Sequence, residues 1–157
     1  INRADRYLYI NTPYLVIDNE TTTALTAAAK RGVDVRIITP HIPDKWFVHA
    51  VTRANYELLA QAGVKIFEYT PGFDHAKTIV ADDLWGVVGT INMDFRSLYL
   101  HFECGVLLYG GDTVLSIKND FLQTLRRCQK ISLEDCRSAK WYQKLTRALL
   151  RMFAPLM

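Results

Sequence analysis

Cysteine is scarce: the 157 residues contain only Cys104, Cys128 and Cys136, and no Cys-x-x-Cys pair. An odd, unspaced set argues against a disulfide framework and points to a reducing compartment. No apolar run is long enough to cross a membrane as a helix, and no signal peptide opens the sequence. Internal repeats and low-complexity tracts are absent. Charge of one sign is also in short supply. A formal net charge of +3 is too small to demand nucleic acid or an anionic membrane by itself. Half the residues are apolar, enough for a sizeable core, so residues 1–157 are expected to form one domain. The sequence opens on Ile1, close to a strand-like stretch, and the natural protein is expected to continue upstream.

The apolar pattern alternates strands with helices. Tyr7–Ile10 reads as a strand that Pro13 stops. Asp18 or Asn19 caps a helix over Thr21–Arg31, with Leu25, Ala28 and Ala29 on one face and Gly32 after it. Val33–Ile38 is the next strand. Asp44 is placed to cap a long helix to about Ala62, with Trp46, Phe47, Ala50, Ala54, Leu58 and Leu59 as its apolar face. Val64–Tyr69 is the third strand. Strand–helix–strand–helix–strand is the mark of crossover units on a parallel sheet. A hairpin follows, then an apolar strand over Phe102–Tyr109 whose Cys104 is expected in the core. Next comes a helix carrying Val114, Ile117, Phe121, Leu122, Leu125 and Cys128, then a short element from Ser132. A last helix spans about Ala139–Ala154. The expected fold is α/β: a mixed, largely parallel sheet flanked by helices.

The polar residues of the hairpin region carry the chemistry. His75-x-Lys77 precedes a strand over Thr78–Ala81. Asp82-Asp83 makes a tight turn into a second strand, Leu84–Val88. Gly89-Thr90-x-Asn92 follows, and Glu103 comes later. Residues two apart on extended chain share a face, so His75 and Lys77 point together. The returning strand carries Thr90 and Asn92 back towards them. An imidazole, a fixed cation and an amide donor at one point suit a phosphoryl group. Thr12-Pro13-Tyr14 and the loop 39–43 lie beyond strand ends, where ligands gather on open α/β sheets. Tyr14 and His41 are therefore candidates for the rim. His101 lacks a lysine two residues on, and His49 is expected to face solvent from its helix.

The string H-x-K-x4-D-x6-G-T-x-N resembles the HKD motif of the phospholipase D superfamily. NTPY, AAAKRGVDVRIITP, ELLAQAGVKIFEYTPGFDHAKT, VVGTINMDFRS and the closing APLM are similar to bacterial cardiolipin synthases, in their second, carboxyl-terminal HKD half. The likeness weakens over 44–55 and 110–139, and His101 stands where an Asn usually precedes Phe-Glu. The resemblance implies a phospholipase D-like fold and a two-step phosphatidyl transfer through a phosphohistidine, making cardiolipin from phosphatidylglycerol. It implies catalytic roles for His75, Lys77, Asp82, Asn92 and Glu103, with Glu103 orienting the His75 ring as a triad acid does. Thr90 and Tyr14 become substrate-binding candidates. No metal and no cofactor are implied. Such a site needs two HKD strings, and one is present, so the expected partner is an amino-terminal HKD half or a second copy.

The phospholipid substrates imply a membrane surface as the second partner. The parent protein is expected at the cell membrane, with its catalytic domain on the cytoplasmic face, whereas the fragment itself is expected to be soluble and inactive alone. In the last helix Lys140, Lys144, Arg147 and Arg151 form a basic stripe, with Trp141, Leu145, Leu149, Met152 and Phe153 opposite. Such a helix either packs its apolar side on the domain and leaves the cations in water, or also offers the stripe to anionic headgroups. Other functions share the catalytic string: a phospholipase D-type lipid hydrolase, a dimeric nuclease, or a truncated module that only binds. The charge gives a nuclease little support, and no nucleic-acid partner is expected.

Overall fold

A computed structural model of the chain describes residues 1–156; Met157, the last residue of the APLM run, lies outside them. The strands are β1 (Tyr7–Asn11), β2 (Leu15–Val16), β3 (Asp34–Pro40), β4 (Lys65–Tyr69), β5 (Thr78–Ala81), β6 (Trp85–Gly89), β7 (Met93–Asp94), β8 (Gly105–Tyr109) and β9 (Cys128–Ile131). The helices are α1 (Asn19–Lys30), α2 (Trp46–Gln61), α3 (Asp112–Leu125), α4 (Leu133–Arg137) and α5 (Trp141–Arg151). A π-helical turn covers Arg96–Leu100, and a 3-10 turn covers Ala154–Leu156.

Seven strands form one sheet in the order β8-β6-β5-β1-β3-β4-β9. The expected mixed sheet with flanking helices is present, and its parallel part is β1, β3 and β4. The other four pairings are antiparallel, because the hairpin and the edge strands add to that centre from both sides. Ile10 lies beside Ile37 and Ile37 beside Ile66, all three buried, so the centre of the sheet is continuously apolar, as two covered faces require. Leu25 and Ala28 of α1 and Tyr56 and Leu59 of α2 cover one face. Val114 and Phe121 of α3 cover the other.

Local chemistry explains most of the element ends. Asp18 caps α1, its side chain accepting from Thr21 N at 2.7 Å, and Gly32 leaves the helix at a φ of 96° that favours glycine. Asp82 and Asp83 turn the β5–β6 hairpin with φ of 58° and 61°, the paired left-handed geometry of a tight hairpin turn.

Several expectations change. The buried side of α2 is Val48, Val51, Thr52, Asn55, Tyr56 and Leu59, not the face centred on Trp46 and Phe47, which are exposed. Thr52 and Asn55 are inside because they bond the backbone of β2: Leu15 N donates to Thr52 Oγ1 at 3.1 Å, and Asn55 Nδ2 donates to Leu15 O at 2.8 Å. Asp44 does not cap α2, which starts without a side-chain cap at Lys45. Instead its carboxylate accepts from the Tyr14 hydroxyl at 2.5 Å.

The apolar strand begins at Gly105 rather than Phe102 and forms the sheet edge, leaving Cys104, Val106, Leu107 and Tyr109 exposed. Cys128 starts β9 instead of ending α3. The α5 helix is turned over. Leu150 and Ala154 pack on Val48 and Val51, and Lys144, Arg147 and Arg151 of the basic stripe line the cleft with α2. The side with Trp141 and Leu145 faces outwards.

Candidate active site

Strand pairing assembles the site from four separate stretches. Asn11 at the end of β1 lies beside Thr78 at the start of β5, so His75 and Lys77 emerge at the carboxyl end of the parallel strands. Thr78 pairs with Val88 of β6, which brings Gly89 and Thr90 next to Lys77. Leu15 pairs with Met93 in the small β2–β7 sheet, which sets Asn92 against Tyr14. Ligands of open α/β sheets collect at such strand ends.

Gly89 is required by a close approach of two chains. A Cβ there would lie 2.3 Å from Cys104 O and 2.7 Å from Gly105 Cα. Without that methyl, Thr90 N donates to Cys104 O at 2.9 Å and Cys104 N donates to Thr90 Oγ1 at 3.0 Å. The Thr90 hydroxyl in turn donates to Glu103 Oε2. Ser97 Oγ donates to Glu103 Oε1 at 2.8 Å. These two hydroxyls, Thr90 first, hold the Glu103 carboxyl below its ordinary range, so Glu103 is a fixed negative charge at neutral pH.

His75 is exposed. Its ring stacks on Phe73 with centroids 5.3 Å apart and meets the edge of Tyr14 at 6.5 Å. Lys77 Nζ donates to the His75 carbonyl at 2.7 Å. Burial pulls Lys77 below the ordinary ammonium range, while the Glu103, Asp74 and Asp94 carboxylates favour its charge. Asn92 Oδ1 is buried without a hydrogen-bond partner. An unpaired buried amide oxygen is costly, and Asn11 Oδ1 at the end of β1 is the other such oxygen among the described residues. Asn92, Tyr14, Arg96 and His101 line a cavity of about 470 Å³. Among the described residues no three His, Cys, Asp or Glu side chains converge as metal ligands would.

Some expected placements differ. Asp82 is not part of this group. It sits at the other end of β5, where its carboxylate accepts from the backbone N–H of Asp5, Arg6 and Tyr7 at 2.8–2.9 Å. Four strand residues separate it from Lys77, roughly 16 Å of extended chain from one Cα to the other. The expected contact between Glu103 and the His75 ring is absent, because Thr90 and Ser97 occupy the Glu103 oxygens. Glu103 lies in the loop before β8, not on a strand. Tyr14 lies beside His75, but its hydroxyl is engaged by Asp44; burial, then Asp44, pushes its pKa up. His41 is away from the site, its Nδ1 2.7 Å from Glu68 Oε2. That carboxylate is fully buried; burial raises its pKa, and paired bonds from Arg53, with His41, outweigh it. His49 does not face open solvent, and burial drives its pKa down to about 4. His101 is exposed and accepts from Arg96 Nε at 2.8 Å.

Sequence reasoning overlooked Ser97, Asp74 and Asn11. Asp74 accepts from Asn11 Nδ2 at 2.9 Å and from Ala76 N at 3.1 Å, shaping the turn that presents His75. Ser97 carried one faint signal, three residues after Asp94, whose Oδ1 accepts its N–H at 2.7 Å.

A family described as the cardiolipin synthase, PLD-like domain matches residues 1–125. The chain belongs to the cardiolipin synthase phospholipase D-like family. Cardiolipin synthases of Clostridium perfringens and Halalkalibacterium halodurans are 41% and 38% identical over all 157 residues. An uncharacterized protein of Streptococcus mutans is 47% identical over the same span. The chain covers 31–34% of the length of these relatives. The phospholipase D fold also recurs in solved structures. The Nuc protein of Salmonella typhimurium superposes with a TM-score of 0.71 at 18% identity, covering 83% of this chain and 85% of that one. Phosphatidylserine synthase of Haemophilus influenzae superposes with a TM-score of 0.75 at 17% identity, over 98% of this chain and 40% of that one. These likenesses establish a phospholipase D-type domain.

Proposed function

We propose that residues 1–157 are the second HKD half of a tandem phosphatidyltransferase that makes cardiolipin from phosphatidylglycerol. The observation that carries the reading is the gathering of His75, Lys77 and Asn92 at one strand end in a chain that matches cardiolipin synthases along its full length. A neutral His75 nitrogen attacks the phosphorus of phosphatidylglycerol. The bond to the glycerol oxygen breaks, and that oxygen takes a proton from the histidine of the other half. A hydroxyl of a second phosphatidylglycerol then gives its proton to the same partner histidine and attacks phosphorus. The phosphorus–nitrogen bond breaks, releasing cardiolipin and restoring His75.

Lys77 and Asn92 meet the non-bridging oxygens as charge builds. Glu103 acts by fixing Thr90 and balancing Lys77 rather than by gripping the imidazole. Phe73 and Tyr14 hold the ring between aromatic walls. Asp82 secures the hairpin and takes no part in the chemistry. The partner is an amino-terminal half of the same protein or a second copy, and the place of work is the cytoplasmic side of the cell membrane.

Full-length protein supplied with labelled phosphatidylglycerol tests the reading, with lipid products separated after reaction. Labelled cardiolipin and free glycerol are expected. Phosphatidic acid alone would make the enzyme a hydrolase, and no lipid product would return the site to other phosphodiesters. The 157-residue chain by itself is expected to be inactive until its other half is supplied.

A further inference from the structure

The α5 helix buries none of its eleven residues. Its outward side carries Trp141, Leu145 and Leu149, each 53–77% exposed, and Phe153 and Leu156 follow the helix at 55% and 71%. Trp46 and Phe47 at the start of α2 are also exposed. The two stretches meet at the site: Phe47 and Leu156 line the same cavity as Asn92 and Arg96. Large apolar side chains clustered this way are unusual on a surface meant for water.

The charge of the segment itself has one sign, although Glu57 of α2 lines the same cleft and pairs with Arg137 at 3.3 Å. Arg137, Lys140, Lys144, Arg147 and Arg151 follow Asp135, and no acidic side chain occurs from 136 to 157. Lys144, Arg147 and Arg151 line the cleft between α5 and α2. Burial, then Arg53, pulls Arg147 below its ordinary range, and Arg147 has no ion-pair partner among the described residues.

We propose that the outward face of α5, continued by Leu156, Phe47 and Trp46, enters the surface of an anionic phospholipid bilayer and sets the mouth of the active site against it. The proposal rests on the reading that the substrate is a membrane phospholipid. A helix with leucines and aromatics on one side and only cations on the other lies in the plane of such a surface, its apolar side among the acyl chains. Tryptophan and tyrosine prefer that boundary. Lysine and arginine at the flanks reach sideways to headgroup phosphates. This differs from both readings of the helix in the sequence: apolar side chains enter, and cations steer from behind. A lipid then reaches His75 along the rim without its chains crossing water.

The rest of the parent protein is the competing cover for this face. Depth measurements on the full-length protein separate the two. A cysteine replaces Leu149 or, as the inward control, Lys144 in a background without other reactive cysteines, and carries an environment-sensitive fluorophore. The protein is reconstituted in phosphatidylglycerol vesicles with brominated acyl chains. Quenching by bromine is expected to be at least fivefold stronger at 149 than at 144. Shielding of position 149 from both bromolipid and aqueous iodide would assign the face to protein and overturn the proposal. Quenching of position 149 by iodide alone would overturn it equally.

Activity provides a second arm. L145Q/L149Q is expected to lower turnover on vesicles at least tenfold while short-chain lipid dispersed in detergent is turned over within twofold of wild type. Equal loss on both substrates would overturn the proposal. The quenching arm needs no turnover, so bromine contact at 149 in a protein that makes no cardiolipin would refute the activity reading and leave the bilayer contact standing.

Discussion

Ser97 Oγ lies 2.8 Å from Glu103 Oε1 and donates to it. With Thr90 on the other carboxylate oxygen, this bond makes Glu103 the fastener between the end of β6 and the loop before β8. The His75 ring is left free of hydrogen bonds among the described residues, so Glu103 acts on geometry and charge around Lys77. Glu103→Ala is expected to lower kcat by roughly 10–100-fold with a smaller change in KM. Glu103→Gln is expected to be milder, because its amide oxygen still accepts from one hydroxyl. Steady-state kinetics on the full-length protein check this; a change confined to KM would contradict it.

His75→Ala is expected to reduce turnover by more than about a thousandfold, as loss of a nucleophile does. It is also expected to eliminate an acid-labile, alkali-stable phosphoprotein formed from labelled lipid phosphate and trapped by a denaturing quench at alkaline pH. His49→Ala is expected to leave turnover within about twofold, since His49, although it borders Tyr14 and Phe73 from α2, supplies no group to the proposed chemistry. A His75→Ala protein with wild-type turnover would remove the proposed nucleophile.

Asp82→Ala is expected to cost stability rather than catalysis. Burial raises the Asp82 pKa, but the backbone N–H groups of Tyr7, Asp5 and Arg6 outweigh it and hold the carboxyl below its usual range. Losing these bonds is expected to destabilise the protein by roughly 2 kcal/mol, read by urea denaturation at pH 7. The contribution of a carboxyl depressed on folding is complete above its unfolded value, about 3.9, and fades as pH falls through the lower folded value. The gap between wild type and variant is therefore expected to close in strong acid.

His49 supplies a milder acid sensitivity. Burial, then the charge of Arg53, lowers its pKa from 6.5 to about 4. Between those values the unfolded chain binds more protons than the folded one, so stability falls as pH is lowered from 6.5 to 4. His49→Gln is expected to flatten the denaturation midpoint between pH 7 and pH 5. An unchanged pH slope in the variant would show that other groups govern it.

Gly89→Ala is expected to lower turnover at least as far as Glu103→Ala does, although His75, Lys77 and Asn92 are unaltered. A methyl 2.3 Å from Cys104 O forces β6 and β8 apart and dismantles the Thr90–Glu103 link. Loss of activity with retained far-ultraviolet circular dichroism is the expected pair of results; wild-type activity would mean that the strands can separate without harm to the site.

Local chemistry made much of this molecule readable from its residues. The caps at Asp18 and Ser132, the Asp82-Asp83 turn and the order of the strands and helices depend on neighbours in sequence. So does the grouping of His75 with Lys77 and of Thr90 with Asn92, because a hairpin maps spacing directly onto space. What only the tertiary structure decided involves partners far apart in the chain. Thr52 and Asn55 are inside α2 because β2 offers backbone groups to bond. Asp82 is structural because Asp5, Arg6 and Tyr7 bring it their N–H groups. Glu103 serves Thr90 and Ser97 instead of His75. The direction in which α5 turns its apolar side was also open, since an amphipathic pattern separates two faces and leaves to the surrounding surface which of them is inward. Periodicity therefore specifies which residues share a side, and only packing against distant residues specifies what that side meets.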